Sequence, residues 1–448
     1  MQEILNLIRV ASAARQEEIT ATDNSEINDI VDWQRATLEA AKSSPDQTFT
    51  PQVQALSDYL TCTNASDSTA RRFATSMISE IPDEYTVFTS LNDWFLCINY
   101  VIQRAPDFNG AHFPMSKLFV FYMFSPSGNA LFLMERFNQL LTDVLQAWCD
   151  YLDQPESRSV LNPSGNVPAT DGWLSPEAQA QLCLSQSVNY QNHDNPDEPY
   201  WGFESYNGFF HREINLDEYR PLPTTGLDKV AVSANDGTVY RIANGVNRCD
   251  TFWMKGQPYS LIDMLGGTLN SGNATPMEQI EKFVGGDVIQ SFLSGADYHR
   301  WHAPVTGTVI SAEVIQGLTF SELISEGFDA SAGTLSQGYQ AMVNTRGLVI
   351  IEEERTKKLV AVMPIGITEI SSVSLSVQAG QQVNMGQELG YFSYGGSTLV
   401  IAFEEGMVDY FTAKEAADNA SFPPCKSADT CPVDQGCLRV RSEIAVLK

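Results

Sequence analysis

The sequence predicts an α+β protein, a helical N-terminal domain followed by a mostly antiparallel β domain. Three observations predict it. The chain changes texture near residue 200. Before that point apolar side chains recur at steps of three and four, the period of a helix with one buried face. After residue 225 they gather into runs of four to six β-type residues separated by turn residues. A chain of 448 residues allows two or three domains. With 43% apolar and 10% aromatic residues it has a globular rather than a disordered composition.

Taken in order, the helical signals are Asp29 to Ala41, Ala70 to Ile81 and the stripe Phe137, Leu141, Val144, Trp148, Leu152. Clusters such as Ser125-Pro126-Ser127-Gly128-Asn129 and Asn162-Pro163-Ser164-Gly165-Asn166 punctuate them. Residues 1–190 are therefore read as a helical domain whose aromatics pack a core. The polar, Pro-containing stretch Asn189 to Pro199 opens a linker and lead-in segment over 191–224. The β domain is placed at 225–448. Its runs are Lys229 to Ser233, Thr308 to Ala312, Gly347 to Ile351, Leu359 to Met363 and Thr398 to Phe403. Asp236-Gly237 lies between two β-type runs, where a hairpin turn is the ordinary reading. Ala303 to Val309 and Val377 to Gly390 have the turn-and-strand pattern of a biotinyl or lipoyl carrier hammerhead. Such a carrier needs a modified lysine at a hairpin tip. Lys357 and Lys358, the nearest, sit in a charged turn without that setting.

Charge excludes some functions. A net charge of −28 repels nucleic acid and anionic headgroups, so neither DNA nor RNA is expected as a partner. The best apolar run, Leu118 to Phe124, is far short of the ~18 residues that span a bilayer, and no transmembrane segment is expected. The first residues lack a basic stretch before an apolar core, and a cytoplasmic location is the expectation. In that setting the eight cysteines are expected to be reduced. Cys425, Cys431 and Cys437 lie six apart, which does not match short zinc pairings, and read as incidental loop residues. Sequons at Asn64, Asn273 and Asn419 carry no meaning without secretion.

The chemistry-bearing residues are few. Of five histidines (His112, His193, His211, His299, His302), two fall three apart in Tyr298-His299-Arg300-Trp301-His302. A structural pair on a polar surface, a metal pair and a catalytic pair all remain open from residue type; only Asp297 stands nearby as a further ligand. Gly395-Gly396-Ser397 alone reads as a Gly-Ser loop. Together, however, Ser397, a histidine and Asp236 supply a hydroxyl, a base and a carboxylate to hold that base. Glycine at 396 tolerates strained geometry, so the target can be the peptide bond between Gly396 and Ser397. Attack there, followed by β-elimination, would leave a chain ending at 396 and one of 448 − 396 = 52 residues capped by a pyruvoyl group.

These motifs resemble the pyruvoyl-dependent phosphatidylserine decarboxylases. The resemblance rests on Asp236-Gly237, on Tyr298-His299-Arg300-Trp301-His302-Ala303-Pro304-Val305-Thr306-Gly307 and on Gly396-Ser397-Thr398. Lesser matches are Phe209-Phe210-His211-Arg212, Lys255 to Leu261 and Asn344-Thr345-Arg346. Trp301 and Ala303, with Glu156 to Leu161, Gly172-Trp173-Leu174 and Ile365 to Ser371, are similar to the fungal L-tryptophan decarboxylase branch. The resemblance implies that the β domain is of phosphatidylserine decarboxylase type. It implies a zymogen that cleaves itself at Gly396–Ser397, with His302 as base and Asp236 as its orienting partner. It implies a covalent pyruvoyl cofactor made from Ser397, a Schiff base with the substrate amine and a proton returned by His299. No metal is implied.

Three functions follow as expectations. The first is an amino-acid decarboxylase, its substrate aromatic and tryptophan-like, with the two self-cleaved chains held together non-covalently. The second is decarboxylation of phosphatidylserine to phosphatidylethanolamine, a step of phospholipid biosynthesis. A chain at −28 approaching an anionic lipid surface meets repulsion that a zwitterionic amino acid does not. The third is an inactive or carrier-like binding protein that never self-cleaves. Oligomeric state, a homodimer included, is left open, as are the side-chain pocket and the role of the helical domain.

Overall fold

A computed structural model describes residues 24–62, 68–108, 113–162, 172–191, 199–249, 259–267, 275–369, 372–417, 422, 426–427 and 429–448. His112, His193, Cys425, the three sequons, most of Lys255 to Leu261, and Ile370-Ser371 lie outside them.

The helical half begins with α1 (Asn24–Ser43), α2 (Pro51–Thr61), α3 (Ser68–Ile78) and α4 (Leu91–Val101). It continues with α5 (Pro114–Phe124), α6 (Pro126–Phe132), α7 (Glu135–Leu152) and α8 (Pro176–Leu182). Local chemistry sets the boundaries. The Thr50 and Ser90 hydroxyls accept hydrogen bonds from the N–H groups of Val53 and Asp93 at the starts of α2 and α4. The Ser125–Asn129 cluster breaks the chain only by starting a helix: the Ser125 hydroxyl caps Gly128 N–H at 3.1 Å and Pro126 occupies the first turn of α6. Helix α5 is buried on every side from Met115 to Phe124, so it forms the centre of this half. The Phe137–Leu152 stripe of α7 faces the same core.

Among the described residues the β half holds fourteen strands. They are β1 (Val230–Val232), β2 (Gly237–Asn244), β3 (Asp287–Leu293), β4 (Arg300–His302), β5 (Gly307–Ile315), β6 (Arg346–Glu353) and β7 (Leu359–Ile367). Then come β8 (Val373–Leu375), β9 (Gln382–Val383), β10 (Glu388–Phe392), β11 (Gly396–Phe403), β12 (Val408–Phe411), β13 (Cys437–Leu438) and β14 (Glu443–Leu447). Eight form one antiparallel sheet in the order β13-β2-β3-β11-β7-β6-β5-β9. Two three-stranded sheets, β1-β14-β12 and β4-β10-β8, complete it. Both faces of the central strands are covered. On β11, Leu399, Ile401 and Phe403 enter one core and Val400 and Ala402 another. That is why these strands read as unbroken apolar runs rather than as alternation.

Asp236-Gly237 makes no hairpin. β1 pairs with β14, whereas β2 pairs with β3 and β13, so the chain changes sheets at Asp236. The two hammerhead-like segments do meet: Gly307 and Thr308 pair with Val383 and Gln382. From Pro199 on, the segment expected to be a linker is packed, because Tyr206, Phe209 and Phe210 belong to the helical core. That core also takes Phe320, Phe328 and Tyr394 from the β half. The cysteine expectation is overturned. Cys431 and Cys437 form a disulfide and Cys183 is disulfide-bonded too, while Cys97, Cys149 and Cys249 carry unbridged thiols. A Cα–Cα separation of 5.1 Å brings 431 and 437 within disulfide reach, which a spacing of six could not reveal.

Candidate active site

Ser397 is the second residue of β11, a central strand, flanked by Leu293 of β3 and Gly366 of β7. It is fully buried, and among the described residues its Oγ has no hydrogen-bond partner. The Gly-Ser reading as a surface loop is therefore overturned. The backbone freedom also falls elsewhere than expected. Gly395, not Gly396, has a left-handed φ of 145°, a conformation that side-chain-bearing residues rarely adopt. The bend leading into the strand sits one residue before the Gly396–Ser397 bond.

His302 ends β4 and is buried. Its Nδ1 lies 3.1 Å from the Gly386 carbonyl, which can only accept, so Nδ1 carries the proton. Nε2 then accepts from the Tyr298 hydroxyl at 3.2 Å. Burial, the largest cause, pushes the ring's pKa down to about 4, which leaves it neutral at pH 7. Asp236 does not hold this histidine. Its carboxylate takes two hydrogen bonds from Arg220, at 3.0 and 2.6 Å, and one from Val440 N–H at 2.8 Å. Burial opposes its ionisation, but Arg220 and these bonds win and hold it below the usual carboxylate range. Among the described residues no hydrogen bond joins Ser397 Oγ, the His302 ring and the Asp236 carboxylate. Asp236, just before β2, and Ser397, at the start of β11, both lie at the end of β3, and the His302 N–H donates to the Ala234 carbonyl, two residues before Asp236, at 2.8 Å.

His299 is also fully buried, which removes the reading of a surface pair. Its ring stacks on Phe210 with centroids 4.1 Å apart. Nε2 is 3.4 Å from the Gly295 carbonyl, and among the described residues Nδ1 has no partner. Burial, its largest cause, pushes its pKa down to about 3, well below the near-neutral value expected of a resting proton donor.

Aromatic side chains tie His299 to the Gly396–Ser397 bend. Phe210 packs on Tyr394 at 5.2 Å, and Tyr394 packs edge-on against Phe113 at 5.4 Å. The Phe113 ring fills the space beside two glycines; a Cβ on Gly295 or Gly396 would come within 3.0 or 3.4 Å of it. A cavity of about 400 Å³ opens here, with Phe108, Phe113, Trp173, Phe292, Gly295 and Tyr394 in its walls. Asp107 and Lys117 add two ionisable groups, and burial disfavours the charge on both, pushing the Asp107 carboxyl up and the Lys117 amine down to about 8. Sequence reasoning missed Phe113, Tyr394, Asp107 and Lys117, since nothing in their local sequence marks them as lining this cavity. Arg220 was missed as well, since nothing in its local sequence marks it as the partner of Asp236.

A protein-family model for phosphatidylserine decarboxylase matches residues 206–420, and a second phosphatidylserine decarboxylase model matches residues 50–182. Similar curated proteins include the decarboxylase iboD of Amanita muscaria, 32% identical over 305 residues, covering 65% of this chain and 83% of that protein. The L-tryptophan decarboxylase of Psilocybe cubensis is 29% identical over 359 residues, covering 76% of this chain and 78% of its own. Phosphatidylserine decarboxylase proenzyme 3 of Schizosaccharomyces pombe is 28% identical over 221 residues, covering 49% of this chain and 21% of its own.

Proposed function

The chain belongs to the phosphatidylserine decarboxylase family, and from that premise we propose that it is a self-processing carboxy-lyase converting an aromatic amino acid to its amine and CO2. The observation that carries this is the Ser397 hydroxyl, fully enclosed and unpartnered in a central strand. A buried polar group left unsatisfied costs about 1–3 kcal/mol, which an apolar residue at a purely structural strand position would avoid. Ser397 Oγ attacks the Gly396 carbonyl carbon, and the ester forms as the peptide C–N bond breaks and the nitrogen gains the proton. Elimination removes the α-proton and breaks the Cβ–Oγ bond, freeing the carboxylate of Gly396. The dehydroalanine left at 397 takes up water and loses ammonia to become pyruvoyl.

The residues present fit that group, since the orphaned hydroxyl is the atom whose loss creates it and the cavity-lining Phe113 ring lies against Gly396, the residue before it. Once formed, the pyruvoyl carbonyl supplies an electron sink for loss of CO2. The remaining work falls to the chain. His302 is the proposed base: its ring is neutral with the Nδ1 proton fixed on Gly386, and its Nε2 lone pair, held at rest by the Tyr298 hydroxyl, takes the Ser397 proton when that hydrogen bond opens. Asp236, locked to Arg220, acts as a fixed charge at a distance rather than as a hydrogen-bond partner. His299 is neutral at rest; a substrate carboxylate arriving beside it raises its proton affinity, so it charges only with substrate bound. The aromatic walls exclude water and favour an aromatic side chain.

The L-tryptophan decarboxylase and decarboxylase relatives support the amino-acid reading, since they align over most of this chain and the phosphatidylserine decarboxylase proenzyme over about half. The decisive experiment is intact-mass analysis and denaturing electrophoresis of freshly purified protein, with tryptophan, tyrosine and phosphatidylserine liposomes supplied in parallel. The expected outcome is a pyruvoyl-capped fragment of 52 residues, its loss in Ser397→Ala, and amine from an amino acid. An unsplit chain overturns self-processing, and phosphatidylethanolamine as sole product overturns the substrate class. We also propose that the fragments stay associated, since β11 remains paired on both edges and β14 pairs with β1. Cytoplasmic location is a further proposal that the Cys431–Cys437 disulfide challenges; thiol counting in rapidly alkylated lysate tests it.

A further inference from the structure

We propose that Asp297 and Lys426 form a latch across the cleavage site, through which the released C-terminal chain positions His299 for turnover. The inference rests on the self-cleavage and on the role of His299 put forward above. Asp297 and Lys426 make a largely buried ion pair, their side chains 11% and 6% exposed. The second oxygen of Asp297 accepts from Ser294 N–H at 2.9 Å and from the Ser294 hydroxyl at 3.0 Å, closing the turn Ser294–Asp297. That turn presents the Gly295 carbonyl to His299 Nε2. The Lys426 backbone is held in turn, because its carbonyl accepts from Arg220 Nη1 at 3.0 Å. A chain of short contacts thus runs from Lys426 through Asp297 and the Gly295 turn to the His299 ring.

Position in the sequence gives this chain its meaning. Asp297 and His299 precede the Gly396–Ser397 bond and Lys426 follows it. After cleavage the turn under His299 is pinned by the smaller chain. Neither residue touches Ser397, so both are positioning residues, and self-cleavage does not need them. The groups that act electrostatically on His299 are Asp297, which favours its charged form, and Arg212 and His211, which oppose it. Lys426 neutralises Asp297. Removing either partner therefore moves the histidine in opposite directions, which a loss of structure alone does not do.

The test compares Asp297→Asn, Lys426→Met and the double variant, each scored for release of the 52-residue fragment, for kcat and KM, and for the pH dependence of kcat. Fragment release is expected to match wild type in all three. kcat is expected to fall about tenfold or more in each single variant with KM changed less than about threefold, since the loss is of catalytic geometry. His299 must be protonated to act, so its titration sets the alkaline limb of the kcat profile, which should move to lower pH in Asp297→Asn and to higher pH in Lys426→Met. The double variant should recover part of the Lys426→Met loss, because it no longer leaves a buried carboxylate unpaired. Limbs that move in the same direction, unchanged kcat, or a shared loss of fragment release in all variants overturn the latch. A wild-type chain that releases no fragment, or that releases it and turns over no amino acid, overturns instead the reading beneath it.

Discussion

The pair Arg220–Asp236 shows how one side chain changes the meaning of another. Asp236 stands ready in the sequence to orient a histidine, yet Arg220 occupies both its oxygens in a site where each partner is at most 4% exposed. Removing one partner of such a pair leaves an uncompensated buried charge and costs about 3–5 kcal/mol. Arg220→Met is therefore expected to lower the urea midpoint sharply, and Arg220→Met/Asp236→Leu to recover much of the loss. Gly395 carries the second lesson. Its φ of 145° makes a Cβ costly, while Gly396 has ordinary backbone and meets Phe113 at the edge of normal contact. Gly395→Ala should slow appearance of the C-terminal fragment in a time course more than Gly396→Ala does. Equal rates would remove the bend from the mechanism.

Between elements, the seam of the helical and β halves runs through Glu369. Just past the end of β7, its carboxylate accepts from Ser116 N–H and Oγ, both at 2.9 Å, in the first turn of α5. Burial, the dominant influence on it, pushes the carboxyl's pKa up even so. Phe119 against Phe320 at 4.7 Å and Thr319 N–H on Asn138 at 3.1 Å extend the seam. Glu369→Ala strands two buried donors at about 1–3 kcal/mol each, whereas Glu369→Gln keeps an acceptor and should lose less. Chemical unfolding of both variants measures the difference. The helical half is thus a wall of the cavity and not an appendage, since Phe108, Phe113 and Trp173 come from it.

For the whole molecule, acid should be destabilising well before the carboxylates titrate. Burial pushes His211 and His302 down to about 4 and His299 down to about 3, against an ordinary 6.5. Below pH 6.5 the unfolded chain takes up protons that the folded chain refuses. The stabilisation these groups give is therefore complete above pH ~6.5 and is lost as pH falls toward 4, at up to ~1.4 kcal/mol per pH unit for each. Thermal midpoints between pH 7 and pH 4.5 should fall steadily, and His211→Phe should flatten the slope. A slope unchanged in that variant would remove His211 from the account. No helix among the described residues is long and apolar enough to cross a membrane.

Local periodicity and spacing determined a good deal. The stripe on α7, the runs that became β5, β6, β7 and β11, and the Tyr298–His302 motif were legible because each depends on residues a few positions apart. What lay in contacts between distant residues was not legible. The sheet change at Asp236, its capture by Arg220, the Phe113 ring beside Gly396, the Lys426 clamp and the Cys431–Cys437 bond all required tertiary structure. The physical reason is that side-chain chemistry is written in the chain, whereas burial and the choice of partner arise only when strands and helices far apart in sequence pack around them.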